Sequence, residues 1–255
     1  MILLKSAREL EHMRAAGRIL AEVKERLKAL VRSGTSTKDI DEDIESFIVG
    51  KGAVPAFKGY RGYPATVCTS INNEVVHGIP SAKRKLKDGD IIGLDLGCIV
   101  EGYYGDCAIT LAVGPVPERV QELLDVTRES LDKAIVQCRA GNRIGDISYA
   151  VQAHCESHGF GVVRAFVGHG IGRALHEEPQ VPNFGKPGRG PYLEEGMTLA
   201  IEPMLNAGAC DVESLCDGWT MVTKDRSLSG HFEHTVAITK NGPDILTLRA
   251  GETIR

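Results

Sequence analysis

No CxxC pair occurs among the seven cysteines, which stand at 68, 98, 107, 138, 155, 210 and 216. That odd, dispersed set argues against a zinc ribbon and against a disulfide framework, and it suits a reducing compartment. An excess of charge of one sign is also missing. A formal net charge of −4 and a pI of about 6.1 give no electrostatic basis for nucleic acid or an anionic membrane as the main partner. The N-terminal MILLKSARELEH has four apolar residues before Lys5. That is too few for the apolar core of a signal peptide and far short of a membrane span, so the expected location is cytoplasmic. No low-complexity tract or Pro/Ser-rich linker divides the chain. Its 255 residues suffice for one large domain or two small ones.

What is present is periodic. Leu10, Met13, Ile19, Leu20, Val23, Leu27 and Leu30 recur at helical spacing and predict a helix over 6–32, ended by Gly34. The Thr35–Ser36–Thr37 cluster predicts the cap of a second helix running to about Gly50. Strands are expected near 65–70, 91–98 and 105–113, helices over 117–138 and 144–158, and further strands over 161–167, 198–203, 219–223 and 232–239. A constant offset of 107 residues pairs Gly34 with Gly141, Asp39 with Asp146, Ile40 with Ile147, Gly52 with Gly159 and Gly89 with Gly196. The same offset sets Asp95 on Glu202. Two similar α+β halves, roughly 34–113 and 141–239, would then face each other across a pseudo-two-fold cleft.

The chemistry begins in IIGLDLGCIVEGYYGDCAIT (91–110), two apolar runs that each carry one aspartate, Asp95 and Asp106. A carboxylate taken out of water must be paired or bound to a cation. If a hairpin loop of even length falls near Val100–Gly102, residues of opposite parity share a face, and Asp95 and Asp106 project together. A divalent cation between them would compensate their repulsion. The plainer reading, two aspartates exposed at a sheet edge, stays open on these residues alone. The second half adds His169 and His176 in the Gly-rich, irregular-looking GHGIGRALHEEP (168–179). It also adds Glu202 at the end of TLAIEPM, and Glu233 with His231 and Thr235 in HFEHTVAIT. Each histidine could be a surface residue and each carboxylate a solvated strand end, though five such groups strain that explanation. Four carboxylates over-charge one metal ion and balance two held about 3.5–4 Å apart. One imidazole among carboxylates favours Mn²⁺, Fe²⁺, Co²⁺ or Zn²⁺ over a thiolate-bound soft metal.

YRGYPATVCTSINNEVVHGIP (60–80), the DLG…GD pair, GHGIGRALHEEP, AIEPM and FEHT stand in an order and spacing that resemble the type I methionine aminopeptidases, over nearly the whole chain. The resemblance implies an α+β, pita-bread (creatinase/aminopeptidase) fold. In it, pseudo-two-fold-related halves surround a central, largely antiparallel sheet with helices outside, and residues 1–255 form a single catalytic metallopeptidase domain. It implies two divalent cations, one on Asp95, Asp106 and Glu233 and the other on Asp106, His169, Glu202 and Glu233, with solvent between them attacking the scissile carbonyl. Glu202 would shuttle the proton, His176 would stabilise the oxyanion, and His77 would contact the scissile amide. Tyr60, Tyr63, Cys68 and Trp219 would line a methionine pocket. Apart from the resemblance, His77 reads as a loop histidine and those aromatics as core packing. The implied activity is removal of the initiator methionine from nascent polypeptides when the second residue is small. The implied partners are nascent N-termini, with ribosome association left open, no direct nucleic-acid contact, no membrane and a monomeric state.

Two positions depart from the family pattern. Leu175 replaces a common aromatic residue and loosens one pocket wall, and His231 stands where glutamine is common. The 30 residues between Glu202 and Glu233 leave no room for the helical insert of type II enzymes, and no zinc-finger extension precedes residue 1. An Xaa-Pro peptidase of the same fold is the nearest rival. A metal-free pita-bread binding scaffold is a second, and a metal-independent amidinohydrolase on that fold a third.

Overall fold

Two serines start the first helices of the computed structural model, which describes residues 1–248 and residue 254. Ser6 accepts from the Glu9 N–H while the Glu9 carboxylate accepts from the Ser6 N–H, opening α1 (Ala7–Leu30). Ser36 and Asp39 repeat the arrangement for α2 (Thr37–Gly50). The chain then forms β1 (Val54–Pro55), β2 (Val67–Ile71), β3 (Glu74–Val76), β4 (Ile91–Val100) and β5 (Tyr103–Ala112), followed by α3 (Glu118–Val136) and α4 (Ile144–Ser157). Short strands dominate the rest: β6 (Gly161–Val162), β7 (Gly168–Gly170), β8 (Glu177–Val181), β9 (Thr198–Ile201), β10 (Met204–Asn206) and β11 (Val212–Ser214). The last four are β12 (Met221–Thr223), β13 (Ser229–His231), β14 (Glu233–Thr239) and β15 (Gly242–Ile245). The strand expected over 161–167 is only Gly161–Val162. There a Cβ on Gly161 would lie 2.4 Å from the Gly208 carbonyl, so the backbones approach closely for one pair and then part.

The main sheet runs β1-β4-β5-β14-β9-β7-β8, with β2 also on β4 and β15 also on β14, all antiparallel. First-half strands lie on one side of the β5–β14 seam and second-half strands on the other, so a pseudo-two-fold axis passes through it. Local detail repeats across that axis. α2 and α4 both have 14 residues. The Gly34 N–H donates to Leu86 O at 2.8 Å, and the Gly141 N–H to Leu193 O at 3.0 Å. Isolated bridges join Ser36 to Lys85 and Arg143 to Tyr192 at that same spacing.

Each half has its own core. Leu20 and Leu27 of α1 with Ile40 and Ile44 of α2 pack on Ile92, Leu94 and Leu96. Leu131 and Ile135 of α3 with Ile147 and Val151 of α4 pack on Leu199, Ile201 and Val236. Burying each such side chain contributes about 1.5–3 kcal/mol, and the register sets Leu94, Leu96, Ile201 and Val236 on one face, so both helix pairs cover the side of the sheet opposite Asp95 and Glu233. Among the described residues no helix is long and apolar enough to cross a membrane.

Candidate metal centre

Glu101 and Gly102, with φ of 51° and 78°, form the two-residue turn that joins β4 to β5. Left-handed backbone at both positions gives a hairpin the twist its strands need, which favours glycine at the second. The resulting register pairs Gly97 with Asp106 and Asp95 with Ala108, so the two aspartates are diagonal neighbours on one face. Ala108 also pairs with Glu233 at the start of β14. Its methyl group therefore sits between two carboxylates, with Asp106 two residues away. The Thr235 hydroxyl accepts from the Asp106 N–H at 3.0 Å and donates to the Asp106 carbonyl at 2.8 Å, fastening β5 to β14 beside the acids.

His169 comes from the other half. Its segment looked irregular in the sequence, yet it lies on β7 and pairs with Ala200 of β9 and Gln180 of β8. A Cβ on Gly168 would sit 2.4 Å from the Ala200 carbonyl, and one on Gly170 2.1 Å from the Glu178 carbonyl. Only glycine on both sides lets this strand fit between its neighbours. His169 Nδ1 is 2.8 Å from the Gly170 carbonyl. A carbonyl only accepts, so Nδ1 carries the proton and Nε2 presents a lone pair. Glu202 follows β9 directly, with Oε1 at 3.6 Å from His169 Nε2 and its backbone carbonyl accepting from Asn183 Nδ2 at 3.0 Å.

Asp106, His169 and Glu233 each offer a ligand atom within 4.8 Å of the others. Asp95 and Glu202 line the same cavity, about 280 Å³ in volume. Asp95 Oδ1, Asp106 Oδ1 and Glu233 Oε1 are buried without a hydrogen-bond partner among the described residues. Unpartnered buried carboxylate oxygens are costly, and three converging with an imidazole lone pair fit a hard or borderline divalent cation. Burial raises the Asp95 carboxyl to about 7. Asp106, Glu202 and Glu233 are pushed well above the usual carboxylate range, by burial first and by a neighbouring carboxylate second, Asp95 for Asp106 and Glu202, and Asp106 for Glu233. Burial, followed by the neighbouring His176, lowers both His77 and His169 to about 4, so both imidazoles are neutral at pH 7.

The cavity walls hold His77, His176, Tyr60, Tyr63, Cys68 and Trp219, the remaining site residues expected from the sequence. The Tyr60 hydroxyl lies 2.8 Å from His176 Nδ1, and the His169 and His176 rings are 4.3 Å apart. Tyr63 meets Trp219 edge-on at 5.1 Å and donates its hydroxyl to the Gly78 carbonyl at 2.9 Å. Cys68, whose thiol burial pushes well up, lies on the wall with Leu175. His77 has φ of 61° and stands edge-on to both Phe166 and Trp219. His231 does not line the cavity. It lies behind it, with Nε2 buried, unpartnered and 4.0 Å from Glu202 Oε2. Phe57, Arg61, Phe166 and Val167 also line the cavity and were not foreseen. Arg61 lies inside the YRGYP motif and Phe166 three residues before His169, so motif proximity was the one available signal.

Residues 11–240 match the model of metallopeptidase family M24, and the chain belongs to that family. Its place there is with the methionine aminopeptidases. A methionine aminopeptidase of Clostridium acetobutylicum is 51% identical over 248 residues, covering 97% of this chain and 99% of the relative. Methionine aminopeptidase 1 of Bacillus subtilis is 51% identical over 247 residues, with coverage of 97% and 99%. The crystal structure of a Thermotoga maritima methionine aminopeptidase superposes with a TM-score of 0.96 at 46% identity, over 98% of this chain and all of that one. A prolidase from Pyrococcus horikoshii, 21% identical with a TM-score of 0.77, shares the fold, and this chain spans 66% of it. The fold is the pita-bread fold expected from the sequence.

Proposed function

We propose that this enzyme removes the N-terminal methionine from nascent proteins and peptides whose second residue is small, by hydrolysing the first peptide bond with two divalent cations. The observation that carries the reading is the set of three unpartnered carboxylate oxygens beside the His169 lone pair, on the floor of a cavity with aromatic walls. Asp95, Asp106 and Glu233 would hold one cation, and Asp106, His169, Glu202 and Glu233 the other, so four carboxylates offset two dications. When bound, such cations polarise the scissile carbonyl and lower the pKa of water enough to supply a nucleophile at neutral pH. Cobalt, manganese, iron and zinc all suit this ligand set.

The chain's own groups complete the reaction. The Gly170 carbonyl fixes the His169 tautomer and ring orientation, as partners of ligating histidines do. Glu202 accepts the proton released by the attacking water and returns it to the leaving amine. A Tyr60 hydroxyl donating to His176 Nδ1 keeps the His176 proton on Nε2, free to meet the carbonyl oxygen as its charge grows. His77, neutral at pH 7, contacts the nitrogen of the scissile amide. Tyr60, Tyr63, Cys68 and Trp219 enclose the methionine side chain, whose thioether packs well on aromatic faces. Leu175 gives that pocket a slimmer wall than an aromatic residue would.

The catalytic unit is one domain, residues 1–255, built from duplicated halves at roughly 34–113 and 141–239. It works as a monomer in the cytoplasm, where seven unpaired cysteines are at home, and meets its substrates as they leave the ribosome. Met-Gly and Met-Ala peptides should be hydrolysed with added divalent metal and spared after chelation, and Xaa-Pro peptides should be left intact. Xaa-Pro cleavage would favour the prolidase alternative, and inactivity on both with no metal bound would favour a binding scaffold. Elemental analysis of anaerobically purified protein identifies the cation.

A further inference from the structure

Arg61 stands apart among the residues of the cavity. It is the single Lys or Arg there, and with His176 one of two exposed residues at the rim. Its backbone is held at φ 50°, ψ 21°, a left-handed conformation uncommon for a side-chain-bearing residue and one that concentrates at functional sites. Its guanidinium carbon lies 5.4 Å from the centroid of the Tyr60 ring. Among the described residues it has no ion-pair or hydrogen-bond partner, whereas Arg14, Arg26 and Arg84 each have a carboxylate. A cation braced on an aromatic ring, with its donors free, is prepared for an anion from outside the chain.

We infer that Arg61 is a specificity residue that binds a carboxylate on the third residue of the substrate. This inference rests on the proposed aminopeptidase reading. In that reading the first residue fills the inner pocket and the scissile bond lies at the carboxylate cluster. The chain beyond it must leave past the rim, advancing about 3.3 Å per residue when extended. The second residue is small and has no reach, so the third is the first whose side chain can meet a guanidinium at the mouth. The acids of the cavity lie on its floor, so an incoming carboxylate at the rim meets Arg61 rather than like charge. His176 feels the same cation, since Arg61, after burial, lowers its pKa.

The test is kcat/KM for two amidated peptides, Met-Ala-Asp-Ala and its near-isostere Met-Ala-Asn-Ala, with metal supplied. The wild type should favour the aspartate peptide about two- to fivefold, the size of an exposed ion pair, and lose the preference at high salt. Arg61→Gln should bring the ratio close to one, and Arg61→Glu should invert it. Because each ratio is taken within one protein, a general loss of activity does not affect it. Free and amidated Met-Ala-Ala form a second arm, in which a preference for the free acid supports the same contact through a terminal carboxylate. Equal rates on both pairs in the wild type, or an unchanged ratio in Arg61→Gln, would overturn the inference while leaving the aminopeptidase reading intact. No methionine release from any of the peptides would overturn both.

Discussion

Asp95→Asn, in protein stripped of divalent cations, should make the chain more stable, and only toward neutral and alkaline pH. Burial lifts the Asp95 carboxyl from 3.8 to about 7. A pKa raised in the folded state means that the folded protein keeps a proton the unfolded chain gives up. The stability linked to this group is therefore complete below pH 3.8 and is lost as pH rises through 7. At about 1.4 kcal/mol per pH unit, the loss reaches at most about 4 kcal/mol, an upper bound because the cavity admits water on one side. Asparagine keeps the size and removes the charge. In a domain of this length each kcal/mol moves the midpoint by about 2–4 °C, so at pH 8 the stripped variant should melt up to about 16 °C above stripped wild type. At pH 4 the two should nearly coincide. Urea titrations of both proteins from pH 4 to 8 give the difference directly. They cancel the opposite contribution of His77 and His169, whose lowered pKa values add stability as pH rises from about 4 toward the ordinary histidine value. Added divalent cation should reverse the order, because the wild type gains binding free energy that the variant forfeits with its ligand. A stripped variant less stable than wild type at pH 8, or a difference that ignores pH, refutes the reasoning.

Asp106→Asn should abolish turnover and lower metal stoichiometry, since it neutralises a ligand assigned to both cations; wild-type rates with two metals retained would contradict that assignment. His176→Ala should reduce kcat far more than metal content, which elemental analysis alongside kinetics will show, and an equal fall in both would make it a ligand. His231→Gln should shift metal affinity measured by titration calorimetry while activity persists, because its Nε2 stands 4.0 Å from Glu202 Oε2; loss of all activity would show a direct catalytic part.

Legibility in the sequence followed the length of the signal. Helices α2 and α4 appear close to their expected bounds because each has an apolar stripe and a closing glycine, to which α2 adds a serine cap. The Asp95–Asp106 hairpin was readable because two ten-residue strands flank a turn rich in its own signals. Strand β7 was not, since three residues with glycine at both ends carry no periodicity, and the pairing that makes them a strand comes from β8 and β9. Strands β10, β11 and β13 are as short and equally silent, whereas β12 falls inside the expected 219–223. Asp106 met Glu213 of β11, outside the cavity, at the repeat offset for a related reason. Its counterpart across the seam, Glu233, is displaced by those inserted strands, which no fixed offset can follow. The cavity walls at Arg61 and Phe166 come from loops whose meeting depends on the whole fold.

The seam between β5 and β14 also governs when the protein can begin to work. Asp95 and Asp106 leave the ribosome more than a hundred residues ahead of Glu233. A growing chain therefore carries an acidic hairpin with no opposite bank until β14 has emerged. Metal capture becomes a closing event of biogenesis, and a fragment truncated before β14 should accumulate without cation and without activity. By this account an enzyme that trims newborn proteins must itself be fully born first.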